Sequence, residues 1–426
     1  MKLLVVFVSN YINHHQIPFC NRLYEQLGEG FCFIQTQPME QERVQMGWNS
    51  KERLPYVRYY YEQPEACEHL ILESKVVLFG GTDEESYISP RLEAGKPVVR
   101  YSERLYKTGQ WKAISPRGLI RKYHDHTRYR KQQVYLLCAG AYVPSDFHLV
   151  RAYTGKMYRW GYFPELKEYD VEELMMQKSG GSTSAKDWVP RILWAARFID
   201  WKHPEIPVRM AAQLKKRGIC FRMDMIGGGE LDSRIGHLIR ELDVEDCVTL
   251  LGYKSPGEVR SYMEQADIYL VTSDREEGWG AVVNEAMNSG CAVVANHMIG
   301  AVPYLIDPER NGRIYFDKQE TMLADMLEEL CRNRALCRRL GEEAYRTIAK
   351  EWNSAVAAER FLGLLVRLQL LDTSELSGLP CIWENLPADG PCSVAPVISE
   401  CAMKKLLRKR AQENRRERES CVNRHR

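Results

Sequence analysis

Short apolar runs alternate with amphipathic stretches along most of this chain, and that alternation restricts the fold more than any other feature of the sequence. In the first half, the apolar runs predict strands at residues 2–9, 31–35, 76–79, 98–101 and 134–138. The stretches between them predict helices at residues 14–27, 116–130 and 145–154. Strands that alternate with helices in this way predict βαβ units and a parallel sheet.

A second alternation of the same kind follows a polar, Gly/Ser-rich segment at residues 177–187. Its apolar runs predict strands at residues 191–198, 220–226, 248–251, 268–271 and 292–295. Because the Gly/Ser-rich segment has few apolar groups to bury, it is typical of an interdomain linker or an exposed loop. The sequence therefore predicts two α/β domains, at residues 1–165 and 186–351, with a cleft between them.

The last part of the chain departs from this alternation. Residues 352–371 have apolar side chains at helical spacing and predict a final helix that crosses back onto the first domain. Residues 373–402 are rich in Pro, Gly and Ser and are weakly apolar. We therefore expect residues 372–426 to form a disordered extension that ends in a basic tail.

The charge is nearly balanced overall but is distributed unevenly. The chain contains 59 Lys+Arg and 57 Asp+Glu, and its net charge of +2 argues against a dedicated nucleic-acid-binding protein. Residues 404–426 contain ten Lys/Arg and three Asp/Glu, so this tail carries +7 and the other residues carry 2 − 7 = −5. The tail is either a solubilising segment or a contact for an anionic membrane leaflet.

Composition and cysteine spacing point to a cytoplasmic globular protein. Hydrophobic residues make up 45% and charged residues 27% of the chain, which excludes global disorder. The 13 cysteines are scattered without a CxxC pair, so neither a zinc ribbon nor a disulfide scaffold is indicated. The first residues are typical of a buried strand rather than a signal peptide, and no apolar run reaches the ~18–20 residues of a membrane span.

Two glutamates near a predicted strand end form the most informative motif. Glu277 and Glu285 lie eight positions apart, and Gly278 and Gly280 lie between them. A strand that ends near Ser273 would deliver Glu277 to the carboxyl edge of the sheet, where open α/β sheets bind ligands. Glycines allow close backbone approach, and the helix that starts near Gly280 would favour an anion at its N-terminus. Alone, the pair is equally compatible with two solvated surface glutamates.

Two further elements lie at predicted strand ends. Arg197 and Lys202 follow the strand at residues 191–196, and such cations are the usual means of binding a diphosphate. The glycine run at residues 227–229 follows the strand that ends at Ile226. It lacks the GxGxxG spacing of a dinucleotide-binding turn, so it is compatible either with ligand contact or with a tight turn.

Together these elements resemble the family 4 glycosyltransferases, which have the GT-B fold. The resemblance covers roughly residues 1–370 and is strong over residues 190–300. It is carried by the E-x7-E signature at 277–285, the R-x4-K pair Arg197 and Lys202, the glycine turn at 227–230, and the segments 252–253 and 259–262. Two positions depart from the family pattern: Pro303 occupies a site that is often glutamate, and Trp279 replaces a more frequent Phe.

The resemblance implies a retaining hexosyltransferase with two Rossmann-like domains that face each other across a cleft. Its donor would be a nucleotide-diphospho-sugar, and its acceptor a saccharide or lipid-linked saccharide in surface polysaccharide or glycoconjugate synthesis. Glu285 would bind the ribose, Glu277 the donor sugar, and Arg197 and Lys202 the diphosphate. The resemblance also implies donor contacts from Gly228, Gly229, Gly278, Trp279 and Gly280. No Asp-x-Asp triplet occurs, so we expect neither a metal nor a cofactor.

The first domain offers weaker candidates for the acceptor side. Asn13, His14 and His15 follow the first predicted strand, where a loop would face the cleft. His124 is a further candidate for contact with the reacting sugar. A metal site at residues 124–126 is a possible reading, but histidines on a basic, polar helix are more often solvated.

Two rival functions remain open at this stage. One is a catalytically silent GT-B scaffold that regulates a partner transferase. The other is a dinucleotide oxidoreductase, against which the missing GxGxxG and the missing ribose carboxylate argue. Peripheral attachment to the inner face of the cell membrane, through the basic tail, is a further expectation.

Overall fold

A computed structural model describes residues 3–41, 53–178, 188–376 and 388–424. The chain divides into two compact units. The N-terminal unit comprises Met1–Glu165 and Glu351–Ile398, and the C-terminal unit comprises Leu166–Lys350 and Ser399–Arg426. Most of the predicted linker at 177–187 lies outside the described residues.

The N-terminal unit is built on a seven-stranded sheet. Its strands are β1 Val5–Ser9, β2 Phe31–Gln35, β3 Val57–Tyr59, β4 Val76–Phe79, β5 Val98–Ser102, β6 Val134–Ala139 and β7 Met157–Trp160. The order is β3-β2-β1-β4-β5-β6-β7, and every neighbouring pair is parallel. The order reverses between β1 and β4, which pair with Val5 opposite Val76. The sequence pattern did not predict strands β3 and β7, because they are short edge strands.

Helices connect these strands and cover the sheet. They are α1 Ile17–Leu27, α2 Pro64–Glu73, α3 Ser89–Glu93, α4 Pro116–Asp125 and α5 Val143–Leu149. Their apolar faces and the strands share one core, which includes Val8, Ile71, Phe79 and Phe147. The predicted helix at 14–27 begins only at Ile17, because Asn13–Gln16 form a turn in which Gln16 N–H donates to the Asn13 carbonyl.

The C-terminal unit has a six-stranded parallel sheet. Its strands are β8 Arg191–Ala195, β9 Arg222–Ile226, β10 Val248–Leu250, β11 Ile268–Val271, β12 Ala292–Asn296 and β13 Arg313–Tyr315. The order is β10-β9-β8-β11-β12-β13. It is the doubly wound order 3-2-1-4-5-6, whose reversal point lies between β8 and β11.

Eight helices of the described residues accompany this sheet. They are α6 Val171–Lys178, α7 Glu205–Lys216, α8 Asp232–Glu241, α9 Pro256–Gln265, α10 Ala281–Asn288, α11 Val302–Leu305, α12 Glu320–Arg332 and α13 Arg334–Lys350. Helix α9 starts with a capping box in which Ser255 and Glu258 satisfy each other's backbone N–H groups. The core beneath the helices includes Trp194, Met225, Leu270 and Leu327.

The predicted final helix belongs to the N-terminal unit. Helix α14 spans Ser354–Arg367 and is therefore shorter at both ends than the predicted 352–371. It packs against α1, and the ring centroids of Phe19 and Phe361 lie 5.9 Å apart. The apolar spacing that predicted this helix is thus the face that it buries.

The predicted disorder of residues 372–426 is wrong for the described part of that segment. In the N-terminal unit, Arg159 N–H donates to the Ser393 carbonyl at 2.7 Å, and Cys392 N–H donates back to Arg159 at 2.8 Å. Backbone pairing with the edge strand β7 therefore orders this polar stretch. Residues 377–387 lie outside the described residues.

The basic tail forms a helix, α15 Glu400–Arg424, in the C-terminal unit. Met403 and Leu407 are buried, and Arg415 pairs with the buried carboxylate of Glu309 at 2.8 Å. Lys404 and Arg408 lie over the ring of Phe316. The sequence pattern missed this because the tail has few apolar residues, and its partners, such as Phe316 and Glu309, are distant in sequence.

Candidate functional site

The predicted donor-site residues gather at the carboxyl edge of the C-terminal sheet. Arg197 and Lys202 lie in the loop after β8, and Glu277 lies in the loop after β11. Strands β8 and β11 are neighbours and flank the reversal point of the strand order. Loops that leave such a point in opposite directions open a crevice, which is where doubly wound sheets bind ligands.

Lys202 and Glu277 form an ion pair at this edge. Both side chains are largely buried, with 13% of each exposed. The Lys202 ammonium also lies 4.3 Å from the ring centroid of Trp201, and the Arg197 guanidinium lies 5.9 Å from the same ring. Arg197 is itself exposed. Two cations therefore share one aromatic platform, and one of them is held by a carboxylate.

Hydrogen bonds hold the two loops together. Asp274 N–H donates to the Trp201 carbonyl at 3.0 Å. The Thr272 hydroxyl donates to the Lys202 carbonyl at 2.6 Å and accepts from Trp194 Nε1 at 2.7 Å. The position of Lys202 is therefore fixed by the backbone of its own loop and by the strand that carries Glu277.

His203 adds a charged link between the same loops, and the sequence analysis did not identify it. Its ring nitrogens lie 3.3 Å from Asp274 Oδ2 and 3.1 Å from Glu205 Oε1. Hydrogen bonds to Asp274 and Glu205 raise the pKa of His203 to about 9. The ring is therefore a cation at neutral pH. No local pattern signalled this, since the Asp274 contact spans 71 positions.

The glycine turn after β9 packs directly on the loop after β8. Gly227 has φ +130°, and a Cβ there would lie 1.9 Å from the Ala196 carbonyl oxygen. Phe198 N–H donates to the Gly228 carbonyl at 2.9 Å. Gly229 N–H donates to Asp232 Oδ1 at 2.8 Å. The glycines are thus explained by loop packing, and a ligand contact remains a separate proposal.

The loop that carries Glu277 leads into α10. Gly280 precedes the helix with φ +86°, and a Cβ there would lie 2.7 Å from Ile299 Cγ2. Trp279 is fully buried and donates from Nε1 to Asn284 Oδ1 at 2.8 Å. Gly278 accepts from Gly300 N–H at 3.1 Å. The predicted start of the helix near Gly280 is confirmed.

Glu285 lies in the second turn of α10. Part of its surface remains exposed. Burial of the carboxyl group nevertheless raises its pKa to about 7, although the nearby Arg260 charge acts in the opposite direction. Near neutral pH the group is present in both protonation states, so it is able to accept or to donate a hydrogen bond.

The acceptor-side candidates lie at the corresponding edge of the N-terminal sheet. Asn13, His14 and His15 follow β1, which flanks the reversal point between β1 and β4. His15 N–H donates to Asn13 Oδ1 at 3.0 Å, and the two imidazole centroids are 3.8 Å apart. Burial lowers the pKa of His14 to about 4 and that of His15 well below its usual range. Both rings are therefore neutral at physiological pH.

His124 lies on a different element, α4, where its side chain is exposed. Its neighbour His126 instead lines a cavity of about 130 Å³ at the ends of β4 and β5. The cavity is polar, and its walls include the bidentate ion pair of Arg100 and Glu85, with N–O distances of 2.7 and 2.6 Å. Sequence reasoning missed this pair because its members come from different elements.

Comparison with solved structures identifies the class of fold. The structure of Anabaena HepE in complex with UDP is similar to this chain, with a TM-score of 0.64 at 14% sequence identity. The similarity covers 86% of this chain and 100% of HepE. The apo form of the lipopolysaccharide outer core galactosyltransferase WaaB gives a TM-score of 0.61 at 15% identity, with 86% and 99% covered. The two parallel sheets therefore define a GT-B fold, as predicted.

Comparison of sequences finds similarity to one protein family. Residues 182–347 match the family described as "Glycosyl transferases group 1". The match covers less than half of the chain, and it confirms the predicted resemblance to GT-B glycosyltransferases. The role of residues 277–285 as a signature stays a prediction.

The chain matches part of several curated relatives. It is 31% identical over 183 residues to the amylovoran biosynthesis glycosyltransferase AmsK of Erwinia amylovora. The aligned region covers 42% of this chain and 45% of AmsK. It is 26% identical over 175 residues to the alpha-D-kanosaminyltransferase of Streptomyces kanamyceticus, covering 41% and 45%. The matches thus span less than half the length of these relatives. Among the described helices, none combines the length and apolarity of a membrane span.

Proposed function

We propose that this protein transfers a hexosyl unit from a nucleotide-diphospho-sugar to a saccharide or lipid-linked saccharide. One observation carries the proposal: Lys202, Glu277 and Arg197 converge at the reversal point of a sheet within the segment that matches the group 1 glycosyl transferases. The bound UDP of the similar HepE structure supports a nucleotide as ligand.

The chemistry of transfer explains why two cations lie beside a carboxylate. As the bond between the sugar and the diphosphate breaks, negative charge develops on the leaving oxygen and the sugar becomes cation-like. Arg197 and Lys202 would bind the diphosphate where that charge develops, which is the contribution that lowers barriers most. Glu277 would orient Lys202 before the donor arrives and accept hydrogen bonds from sugar hydroxyls afterwards.

The other donor contacts in the proposal come from α10 and the glycine turns. Glu285 would bind the ribose hydroxyls, and its pKa near 7 allows either hydrogen-bonding direction. Backbone groups at Gly228, Gly229, Gly278, Trp279 and Gly280 would line the donor. The N-terminus of α10 favours the negative charge of phosphate.

Two finer features belong to the same proposal. Retention of the anomeric configuration follows from the resemblance to family 4. Independence from metal is supported by the two cations, since Arg197 and Lys202 would supply the positive charge that a divalent ion supplies in other transferases. Activity that is unchanged after EDTA treatment, with an α-linked product from an α-linked donor, would support both features.

The acceptor side is proposed for the N-terminal unit. Asn13, His14 and His15 offer an amide and two neutral imidazole groups, which are able to donate hydrogen bonds to sugar hydroxyls and to accept them. A role in surface polysaccharide synthesis is supported by the amylovoran biosynthesis relative. We also propose peripheral membrane contact through α15, whose Lys405, Lys409 and Arg416 are exposed.

Donor hydrolysis across a panel of nucleotide sugars tests the proposal. The wild-type protein should cleave at least one donor, and Lys202→Ala and Glu277→Ala should each lose most of that activity. Lys216→Ala, an exposed lysine at the end of α7, is the matched control and should keep it. Full activity in both site variants would refute the site assignment, and no turnover of any donor by the wild-type protein would favour the silent scaffold.

A further inference from the structure

The segment at residues 110–124 of the N-terminal unit displays large apolar side chains to solvent. The exposed fractions are 69% for Trp111, 80% for Ile114, 42% for Leu119, 61% for Ile120 and 52% for Tyr123. Within the described helix Pro116–Asp125, no residue is buried. Scattered exposed apolar residues are ordinary, but a contiguous group of this size marks a contact surface.

The same segment is strongly basic. Residues 110–124 contain four Lys/Arg and no Asp or Glu. Lys112, Arg117 and Arg121 are exposed, and Asp125 lies 3.4 Å from Arg121 as its partner. The exposed apolar residues are therefore interspersed with basic side chains, one of which is paired with an acidic neighbour.

Helical geometry separates the two kinds of side chain. At about 100° per residue, Arg117, Arg121 and His124 fall on one stripe of α4. Leu119, Ile120 and Tyr123 fall on the adjacent stripe. The helix thus presents an apolar face with a basic border, the pattern of helices that lie in the plane of a membrane interface.

The segment is anchored to the fold at its beginning. Gln110 Nε2 donates to Asp146 Oδ1 at 2.9 Å and to Ser145 Oγ at 3.0 Å. Ser115 caps the helix by accepting from Gly118 N–H. The apolar side chains are consequently displayed by a fixed scaffold rather than by a loose loop.

We propose that residues 110–124 bind the surface of an anionic lipid bilayer, with the apolar side chains at the boundary between headgroups and acyl chains. Trp and Tyr favour that boundary because they are amphipathic. Lys and Arg favour anionic headgroups. A protein partner would need a surface that is both apolar and uniformly acidic, whereas an anionic bilayer supplies both properties everywhere.

This segment differs from the basic tail in the apolar side chains that it exposes. Helix α15 buries Met403 and Leu407 against its own unit. It therefore presents basic side chains to a membrane but few apolar ones. Residues 110–124 combine apolar and basic side chains within one unit, so their binding to a bilayer does not depend on α15. The inference does not rest on glycosyl transfer. If the membrane proposal fails, donor hydrolysis measured without lipid is unaffected.

Vesicle co-sedimentation of the full chain tests the proposal, with phosphatidylglycerol:phosphatidylcholine 3:7 vesicles and phosphatidylcholine vesicles alone. Trp111→Ser/Ile120→Ser should lower the partition coefficient on the anionic vesicles about tenfold or more. Lys112→Gln/Arg117→Gln should remove much of the salt-sensitive part of the binding. Leu250→Ser, which alters an exposed apolar residue of the C-terminal unit, is the matched control and should bind as wild type does.

All variants alter exposed residues, and unchanged thermal unfolding would confirm that they fold. The proposal would be overturned if Trp111→Ser/Ile120→Ser bound the anionic vesicles as strongly as the wild-type protein does. The absence of wild-type binding to anionic vesicles would also overturn it and would leave a protein partner as the occupant of the surface.

Discussion

Lys202 and Glu277 are 75 positions apart in sequence, and they form an ion pair that joins the loops following β8 and β11. The pair lies at the reversal point of the C-terminal sheet, where a ligand would meet both loops. The same lysine also lies against Trp201, so its position is determined from two sides. A donor diphosphate that binds there would meet a lysine already in place.

The first prediction concerns the coupling of this pair. Lys202→Met should lower kcat for donor hydrolysis about 100- to 1000-fold, because it removes a charge from the leaving group. Glu277→Gln should also reduce kcat. The double variant should raise the activation free energy by less than the sum of the two single increases, since the residues act as a unit. Strictly additive losses would show that they act separately.

The second prediction concerns the turn before α10. Gly280→Ala should lower the free energy of unfolding by about 1–3 kcal/mol, because its φ of +86° is unfavourable for alanine and its Cβ would meet Ile299. Gly257 in α9 has open space around it. Gly257→Ala should therefore change stability by no more than about 1 kcal/mol, and should raise it. Chemical denaturation of both variants provides the comparison, and equal effects would contradict the turn geometry.

The third prediction concerns pH. Folding raises the pKa of His203 from 6.5 to about 9, so its contribution to stability is fully present below about pH 6.5 and is lost as pH rises through about 9. The stability difference between wild type and His203→Gln should therefore shrink between pH 6.5 and 9.5. Denaturant titrations over that range measure it, with the exposed His69→Gln as control. A difference that grows with pH would contradict the hydrogen bonds to Asp274 and Glu205.

The fourth prediction concerns α15. Leu407 is 1% exposed, so Leu407→Ala should lower the stability of the C-terminal unit by about 2–3 kcal/mol. Lys405→Ala, two positions away and exposed, should have little effect. Thermal unfolding of the two variants distinguishes them, and equal melting temperatures would mean that the tail does not pack as described.

The general plan of the fold was accessible from the sequence because it depends on local patterns. The strands at 31–35 and 76–79 coincide with their predictions, since each is a continuous apolar run of a buried parallel strand. Short edge strands such as β3 and β13 have too few residues to show such a pattern. Helix α15 was missed because its stability comes from distant partners, such as Glu309 for Arg415, rather than from its own composition.

The candidate site also has features that local patterns predict and features that only the folded structure shows. The proximity of Lys202 and Glu277 could be predicted because each follows a recognisable strand at the carboxyl edge of the sheet, and their role in donor binding stays a prediction. His203 was not found, because its charge depends on Asp274, which approaches only when the two loops fold together. The apolar surface at 110–124 was also missed, since periodicity shows that a helix has an apolar face but not whether that face is covered.

Calorimetric titration with nucleotides tests the central claim most directly. The claim is that Arg197 and Lys202 bind the diphosphate of the donor. Wild type should bind UDP or GDP more tightly than the corresponding monophosphate, and Arg197→Gln/Lys202→Met should abolish that preference while it retains monophosphate binding. A double variant that prefers the diphosphate as strongly as wild type does would contradict the account.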